Sequence, residues 1–177
     1  MDHEPAHAPE TTSLLESIGA VFDHTAHAVP FIRPALRLYR DLLGGELVGG
    51  GFNTAAGHLA VQFRFPGGSM VELLEPLRPD SQSVSGFLAR NPRGGLHHLT
   101  FKVTDLEAVL PVVTAAGYEP FATILDQPSW KETFLHPRRT GGVLIQLAQA
   151  GPGIPPALDR PLDEILDEAE AMRSQHR

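Results

Sequence analysis

The sequence predicts an α+β fold built from two copies of one βαβββ module, and three observations carry that reading. An offset of 74 positions relates the stretch Phe22–Val29 to Leu96–Val103, since 98 − 24 = 74 sets His98 against His24. The same offset relates Met70-Val71-Glu72-Leu73-Leu74 to Leu144-Ile145-Gln146-Leu147, since 146 − 72 = 74. A period this long marks a repeated supersecondary unit. Between the related stretches, the order strand, helix, strand, strand, strand occurs twice, and clusters of Gly and Pro punctuate it both times. The repeat brings His24, Glu72, His98 and Gln146 to equivalent places in the two copies.

Each element has a local reason. Residues 1–20 are expected to form a disordered leader, rich in Pro, His, Glu and Ala, with one short helical turn over Ser13–Ala20. In the first module (residues 21–76), Val21–Val29 alternates as a strand, with His24, Ala26 and Ala28 on one face and Thr25 and His27 on the other. Pro34 suits the first turn of a helix reaching Leu43. Its apolar stripe is Ala35, Leu38, Tyr39, Leu42 and Leu43, and Gly44-Gly45 stops it. Glu46–Val48 reads as a short strand ended by Gly49-Gly50-Gly51. His58–Phe65 and Ser69–Leu74 form a hairpin about Pro66-Gly67-Gly68.

Pro76–Ser81 is a linker, and Gln82–Arg90 a short helix using Val84, Phe87 and Leu88. In the second module (residues 95–149), His97–Val103 is the first strand. Thr104 or Asp105 caps a helix running to Ala116, with Pro111 expected to kink it or shift its start. Tyr118–Ile124, Trp130–Leu135 and Val143–Ala148 complete the strands. Residues 150–177 form a Pro/Gly linker followed by a helix opened by Pro161. Its apolar face is Leu162, Ile165, Leu166, Ala169 and Met172, and its other face is acidic.

Composition bounds the function. At 177 residues and 42% hydrophobic, the chain can bury a sizeable core. It has no cysteine, which excludes disulfides, thiolate metal sites and cysteine catalysis. A formal charge of −7, with acidic residues concentrated toward the C-terminus, argues against nucleic-acid and anionic-membrane partners. No secretion signal and no apolar run long enough to span a bilayer is evident, so the expected location is cytoplasmic.

Several motifs together resemble the vicinal-oxygen-chelate superfamily (glyoxalases, bleomycin-resistance proteins and dioxygenases), and within it the methylmalonyl-CoA epimerases. They are Asp23-His24 with Ala28-Val29, Leu38-Tyr39-Arg40-Asp41-Leu42-Leu43-Gly44, Val71-Glu72-Leu73-Leu74-Glu75-Pro76, Gly95-Leu96-His97-His98, Phe134-Leu135-His136-Pro137 and Thr140-Gly141-Gly142-Val143-Leu144-Ile145. The likeness covers residues 21–149. It implies that the paired modules curl into an open, cup-shaped mixed β-barrel, the glyoxalase-like fold, with a divalent metal inside. It places the metal ligands at His24, Glu72, His98 and Gln146, and it implies a homodimer. Strand alternation points His98 inward and turns His97 the other way.

Two imidazoles, a carboxylate and an amide oxygen suit Co²⁺, Ni²⁺, Mn²⁺, Zn²⁺ or Fe²⁺. The resemblance then implies an isomerase or epimerase that forms a metal-stabilised enolate from a small-molecule substrate such as an acyl-CoA or related dicarbonyl acid. Epimerases of this family end their ligand set with glutamate, where this chain has Gln146. An amide cannot take a proton at neutral pH. Glu72, at the repeat-related position, is therefore the expected ligand and base, with Glu132 and His58 as further candidates for proton transfer. Trp130 and Phe134 are candidate pocket walls. The alternatives on the same scaffold are a glyoxalase-type lyase, an extradiol-type dioxygenase and a ligand-sequestering resistance protein without turnover.

Overall fold

The structure, a computed structural model, describes residues 18–81, 83–154 and 156–175. The leader expected over residues 1–20 lies, except for its last three residues, outside the described residues. Eight strands form one mixed sheet: β1 (Val21–Ala28), β2 (Glu46–Asn53), β3 (His58–Arg64), β4 (Met70–Pro76), β5 (Gly95–Lys102), β6 (Pro120–Ile124), β7 (Trp130–Leu135) and β8 (Leu144–Ala150). Their spatial order is β2-β3-β4-β1-β5-β8-β7-β6. The sheet curls into a half-barrel, as expected.

The repeat is written into the register. β1 runs parallel to β4 with Ala26 opposite Glu72, and β5 runs parallel to β8 with Thr100 opposite Gln146. The two halves join where β1 and β5 pair antiparallel, with His24 opposite Thr100 and Ala26 opposite His98. Each of these strands carries one extra residue. The pairing passes from Phe22↔Phe101 directly to His24↔Thr100, which leaves Asp23 unpaired. It passes from Ala26↔His98 directly to His27↔Leu96, which leaves His97 unpaired. These are β-bulges, which bend a strand and re-aim side chains.

Alternation sends one set of side chains into the cup and the other into packed layers outside it. On β3, Leu59, Val61 and Phe63 are fully buried and pack with Leu73 of β4. Burying each such side chain contributes roughly 1.5–3 kcal/mol. The same layer includes Ile32 and Leu36 of α1 (Ile32–Leu36) and Ile165, Leu166 and Ala169 of α4 (Leu162–Ser174). Glu75 anchors this region from β4. Its carboxylate accepts from the Ile32 backbone N–H at 2.5 Å and pairs with Arg173 of α4. On the other half, α3 (Leu106–Ala115) buries Leu106, Val109 and Val113 against Leu135 and Leu147. A third cluster joins Ala26, Ala28 and Leu74 to Val84 of α2 (Val84–Arg90).

Three local expectations are corrected. The helix expected to run from Pro34 to Leu43 is α-helical only to Leu36 and continues as a π-helical turn over Arg37–Leu42. The wider turn splits the expected stripe: Ala35 and Tyr39 still pack against the core. Leu38, Leu42 and Leu43 are exposed, while Ile32 and Leu36 are buried. β2 does not stop at Gly49 but runs through the glycines to Asn53, with a register shift between Leu47 and Gly49. Gly50 lies at φ +152, and a Cβ there would meet the Ala60 carbonyl oxygen at 2.3 Å, so this close strand contact requires glycine. α3 begins at Leu106 with Pro111 inside it, and Asp105, one of the two expected caps, accepts from the Ala108 N–H at 3.1 Å.

The linker after β8 is held at both ends. Gly151 N–H donates to Ser129 at 2.9 Å, and Gly50 N–H on β2 donates to Pro156 at 3.1 Å. It therefore reaches from the β7 side of the sheet to the β2 edge. Among the described residues, no helix is long and apolar enough to cross a membrane.

Candidate metal centre in the cup

The concave face of the sheet encloses a cavity of about 870 Å³. Inward positions of all four central strands meet in it: His24 of β1, Glu72 of β4, His98 of β5 and Gln146 of β8. Alternation explains the direction of each, and the repeat explains their convergence. His24, Glu72 and His98 each offer a ligand atom, and these atoms all lie within 4.8 Å of one another. His24 Nε2 is 3.6 Å from a Glu72 oxygen. The His24 and His98 rings stand 6.1 Å apart, centre to centre.

Gln146 enters through a hydrogen-bonded chain. Its amide Nε2 donates to Glu132 at 2.7 Å, and its Oε1 accepts from the Thr100 hydroxyl at 2.6 Å. Thr100 Oγ1 is also 3.0 Å from His24 Nε2. Trp130 Nε1 donates to the same Glu132 oxygen at 2.7 Å. Glu72 is steadied from β3, where Gln62 Nε2 donates to it at 2.9 Å. His58 lies farther along β3, on the cavity wall, with a buried Nδ1 that has no hydrogen-bond partner among the described residues.

The electrostatics follow from burial and partners. Burial opposes charge on His24, but its bonds to Asp23 and Glu72 outweigh this and raise its pKa to about 9. Burial alone would raise Glu72; contact with His24 prevails and holds it down at about 2. Burial lowers His98 to about 3 and lowers His58 as well, so both rings are neutral at pH 7 and carry lone pairs.

These features fit a divalent cation. Among the described residues His98 Nε2 is buried with no hydrogen-bond partner, an arrangement that is costly unless something occupies its lone pair. It faces a second imidazole and a carboxylate at ligating separation. Gln146 Oε1 keeps a second lone pair beyond the one taken by Thr100. The donor set of two imidazoles, one carboxylate and one amide oxygen is that of a borderline divalent ion.

Several participants were not legible from the sequence. Thr100 gives no signal beyond lying two residues after His98. Gln62 is recognisable only once β3 is set beside β4. Asp23 and His97 are placed outside by strict alternation, and the two bulges turn them back. Asp23 accepts from His24 Nδ1 at 2.7 Å and is held by Lys102 at 2.8 Å. His97 Nδ1 lies 2.9 Å from His98 Nδ1.

This fold and site define the chain's class: residues 23–134 match the model of the glyoxalase/bleomycin resistance protein/dioxygenase superfamily, and the chain belongs to that family. Within it, the chain is similar to the ethylmalonyl-CoA/methylmalonyl-CoA epimerase of Cereibacter sphaeroides, at 35% identity over 133 residues, 72% of this chain and 96% of the relative. It is also similar to the crystal structure of methylmalonyl-CoA epimerase from Mycobacterium tuberculosis, at 29% identity and TM-score 0.66, covering 77% of this chain and 91% of that one. A methylmalonyl-CoA epimerase structure in complex with methylmalonyl-CoA and NH4+ matches at 28% identity and TM-score 0.65, over 74% of this chain and 94% of that one.

Proposed function

We propose that this chain is a divalent-metal-dependent epimerase of a methylmalonyl-CoA-like acyl-CoA, with His24, Glu72, His98 and Gln146 as the metal-binding set. The observation that carries the reading is the convergence of His24, Glu72 and His98 ligand atoms within 4.8 Å inside the cup. The epimerase relatives, and the acyl-CoA named with one of them, support the substrate class.

A bound divalent cation would act as a Lewis acid, favouring negative charge as it develops on adjacent carboxylate and thioester oxygens of the substrate. The proton between those two groups is then acidic enough for a carboxylate to remove. The C–H electron pair moves into the adjoining carbonyl system, and the carboxylate carries the proton. Inversion requires the proton to return on the opposite face. Glu72 comes from the first half of the sheet and Glu132 from the second, and they flank the site from different halves. We assign Glu72 as ligand and first base, Glu132 as the opposing proton carrier and His58 as the alternative carrier. Gln146 holds Glu132 in place and supplies an oxygen ligand. Trp130 and Phe134 form part of the wall and help exclude water.

Residues 21–149 are the catalytic unit in this reading, and α4 completes its outer packing. A cytoplasmic homodimer belongs to the same proposal. The test loads the full chain with Co²⁺, Ni²⁺, Mn²⁺, Zn²⁺ or Fe²⁺ in turn and follows deuterium uptake at the 2-position of methylmalonyl-CoA in D₂O. Exchange that a chelator abolishes is the expected result. A metal-loaded protein that exchanges neither methylmalonyl-CoA nor ethylmalonyl-CoA overturns the epimerase assignment.

A second reading has one observation in its favour: two histidines and one carboxylate with open positions also suit iron-dependent oxygen chemistry. Catechol-dependent oxygen uptake by the Fe²⁺-loaded protein would establish it in place of the first.

A further inference from the structure

We propose that His97 is a positioning residue that fixes the tautomer of His98, so that the buried His98 Nε2 presents a lone pair to the cup. The inference rests on the metal-site reading above and extends it to a residue outside the ligand set.

The two bulges supply the geometry. Asp23 and His97 are related by the repeat offset, since 97 − 23 = 74. Each immediately precedes an inward histidine. Each is also the residue left unpaired where β1 and β5 slip register. A regular strand would point residue i − 1 to the opposite face from residue i. Here both unpaired side chains reach the Nδ1 of the following ring: Asp23 bonds His24 at 2.7 Å, and His97 bonds His98 at 2.9 Å. The same local device occurs twice and serves the same atom each time.

The chemistry of the two partners differs. Asp23 can only accept, so His24 Nδ1 must carry a proton. An imidazole can donate or accept, so the His97–His98 contact permits two arrangements. Only one of them suits the surroundings. With its Nδ1 against His98 Nδ1, His97 donates from Nε2 to the Ser83 backbone, so a neutral His97 has only a lone pair on Nδ1 and must accept there. The His98 proton then sits on Nδ1 and is donated to His97 Nδ1, and His98 Nε2 keeps a free lone pair. The His97 ring is held for this role by a hydrogen bond to the Ser83 backbone and by edge contact with Phe87, 5.2 Å between ring centres. Ring orientation and tautomer of a ligating histidine are commonly set in this way by the partner of its other nitrogen.

The experiment uses the full chain as wild type, His97→Phe, His97→Asn and His97→Asp. Long-range ¹H–¹⁵N spectra at neutral pH, with the His98 signals assigned by their loss in His98→Gln, report the tautomer directly in the metal-free protein. Chelator competition gives the Co²⁺ affinity. The expected result is an Nδ1–H tautomer for His98 in the wild type. His97→Phe should lose that preference and weaken Co²⁺ binding about 10–100-fold. His97→Asn and His97→Asp each restore an oxygen acceptor and should recover most of that loss. An Nε2–H tautomer in the wild type overturns the proposal, as does a His97→Phe protein whose Co²⁺ affinity is unchanged. Should His97→Phe not fold, the wild-type tautomer decides. Should the wild type bind no Co²⁺, the metal reading fails, and the tautomer still decides the His97 assignment.

Discussion

Gln146 and Glu132 fix one another: the amide Nε2 of Gln146 donates to Glu132 at 2.7 Å, and a carboxylate can only accept. The amide therefore has a single orientation, with Oε1 toward the Thr100 hydroxyl at 2.6 Å. Replacing Gln146 by glutamate, which would give the chain the family's usual ligand, sets two carboxylates against each other. One of them then keeps a proton, and its folded-state pKa lies above the unfolded value. The folded state binds more protons, so stability falls as pH rises through that pKa. In metal-free Gln146→Glu, a deficit of about 1–3 kcal/mol is expected at pH 7.5, shrinking toward pH 5. Urea midpoints at the two pH values measure it. Saturating Co²⁺ should remove most of the deficit.

Two substitutions at Glu72 separate the roles of ligand and base. Glu72→Ala removes an oxygen donor beside His24 and should weaken Co²⁺ binding by more than the roughly 10–100-fold typical of losing an outer partner. Glu72→Gln keeps an oxygen but cannot hold a proton. It should retain weakened metal binding while deuterium exchange into the substrate is lost. Exchange at the wild-type rate in Glu72→Gln would transfer the first base role to Glu132 or His58.

Thr100 is one of the positions at which the two halves differ at the seam, because its repeat counterpart is Ala26. Thr100→Val keeps the shape and removes the hydroxyl shared by Gln146 and His24. Leaving the buried Gln146 oxygen short of a donor should cost about 1–3 kcal/mol, read from urea unfolding. Thr100→Ser should cost less than half of that.

Acid stability should depend on His27. Burial lowers its pKa below the ordinary histidine value of 6.5, and Tyr39 Oη lies 2.6 Å from its Nδ1. The unfolded chain binds the proton more readily, so stability rises with pH across this range. The contribution is present above pH 6.5 and is lost as pH falls through the lower folded value. His27→Gln should flatten the dependence of the unfolding midpoint between pH 7 and pH 5. An unchanged slope would assign that range to other buried histidines.

The C-terminal helix should be part of the cooperative unit. Leu166 is buried in one layer with Leu59, Leu73 and Leu77. Leu166→Ala should cost about 2–5 kcal/mol in a single two-state transition. A separate early transition confined to α4 would show that it is an independent appendage.

The sequence by itself determined the architecture and the inward set. Period-two alternation and a 74-residue offset are properties of the chain, and they placed His24, Glu72, His98 and Gln146 on inward positions of repeat-related strands. Legibility ended where an element departs from its regular period. The π-turn over Arg37–Leu42 moved Leu38, Leu42 and Leu43 out of the core, because a wider turn breaks the 3.6-residue stripe. The bulges at Asp23 and His97 turned two outward residues back, because an unpaired residue is released from the pleat. The contacts among Thr100, Gln146, Glu132, Trp130 and Gln62 come from different strands and depend on how the sheet is paired. Tertiary structure alone decided them, since no local pattern encodes which side chains face one another across a curled sheet.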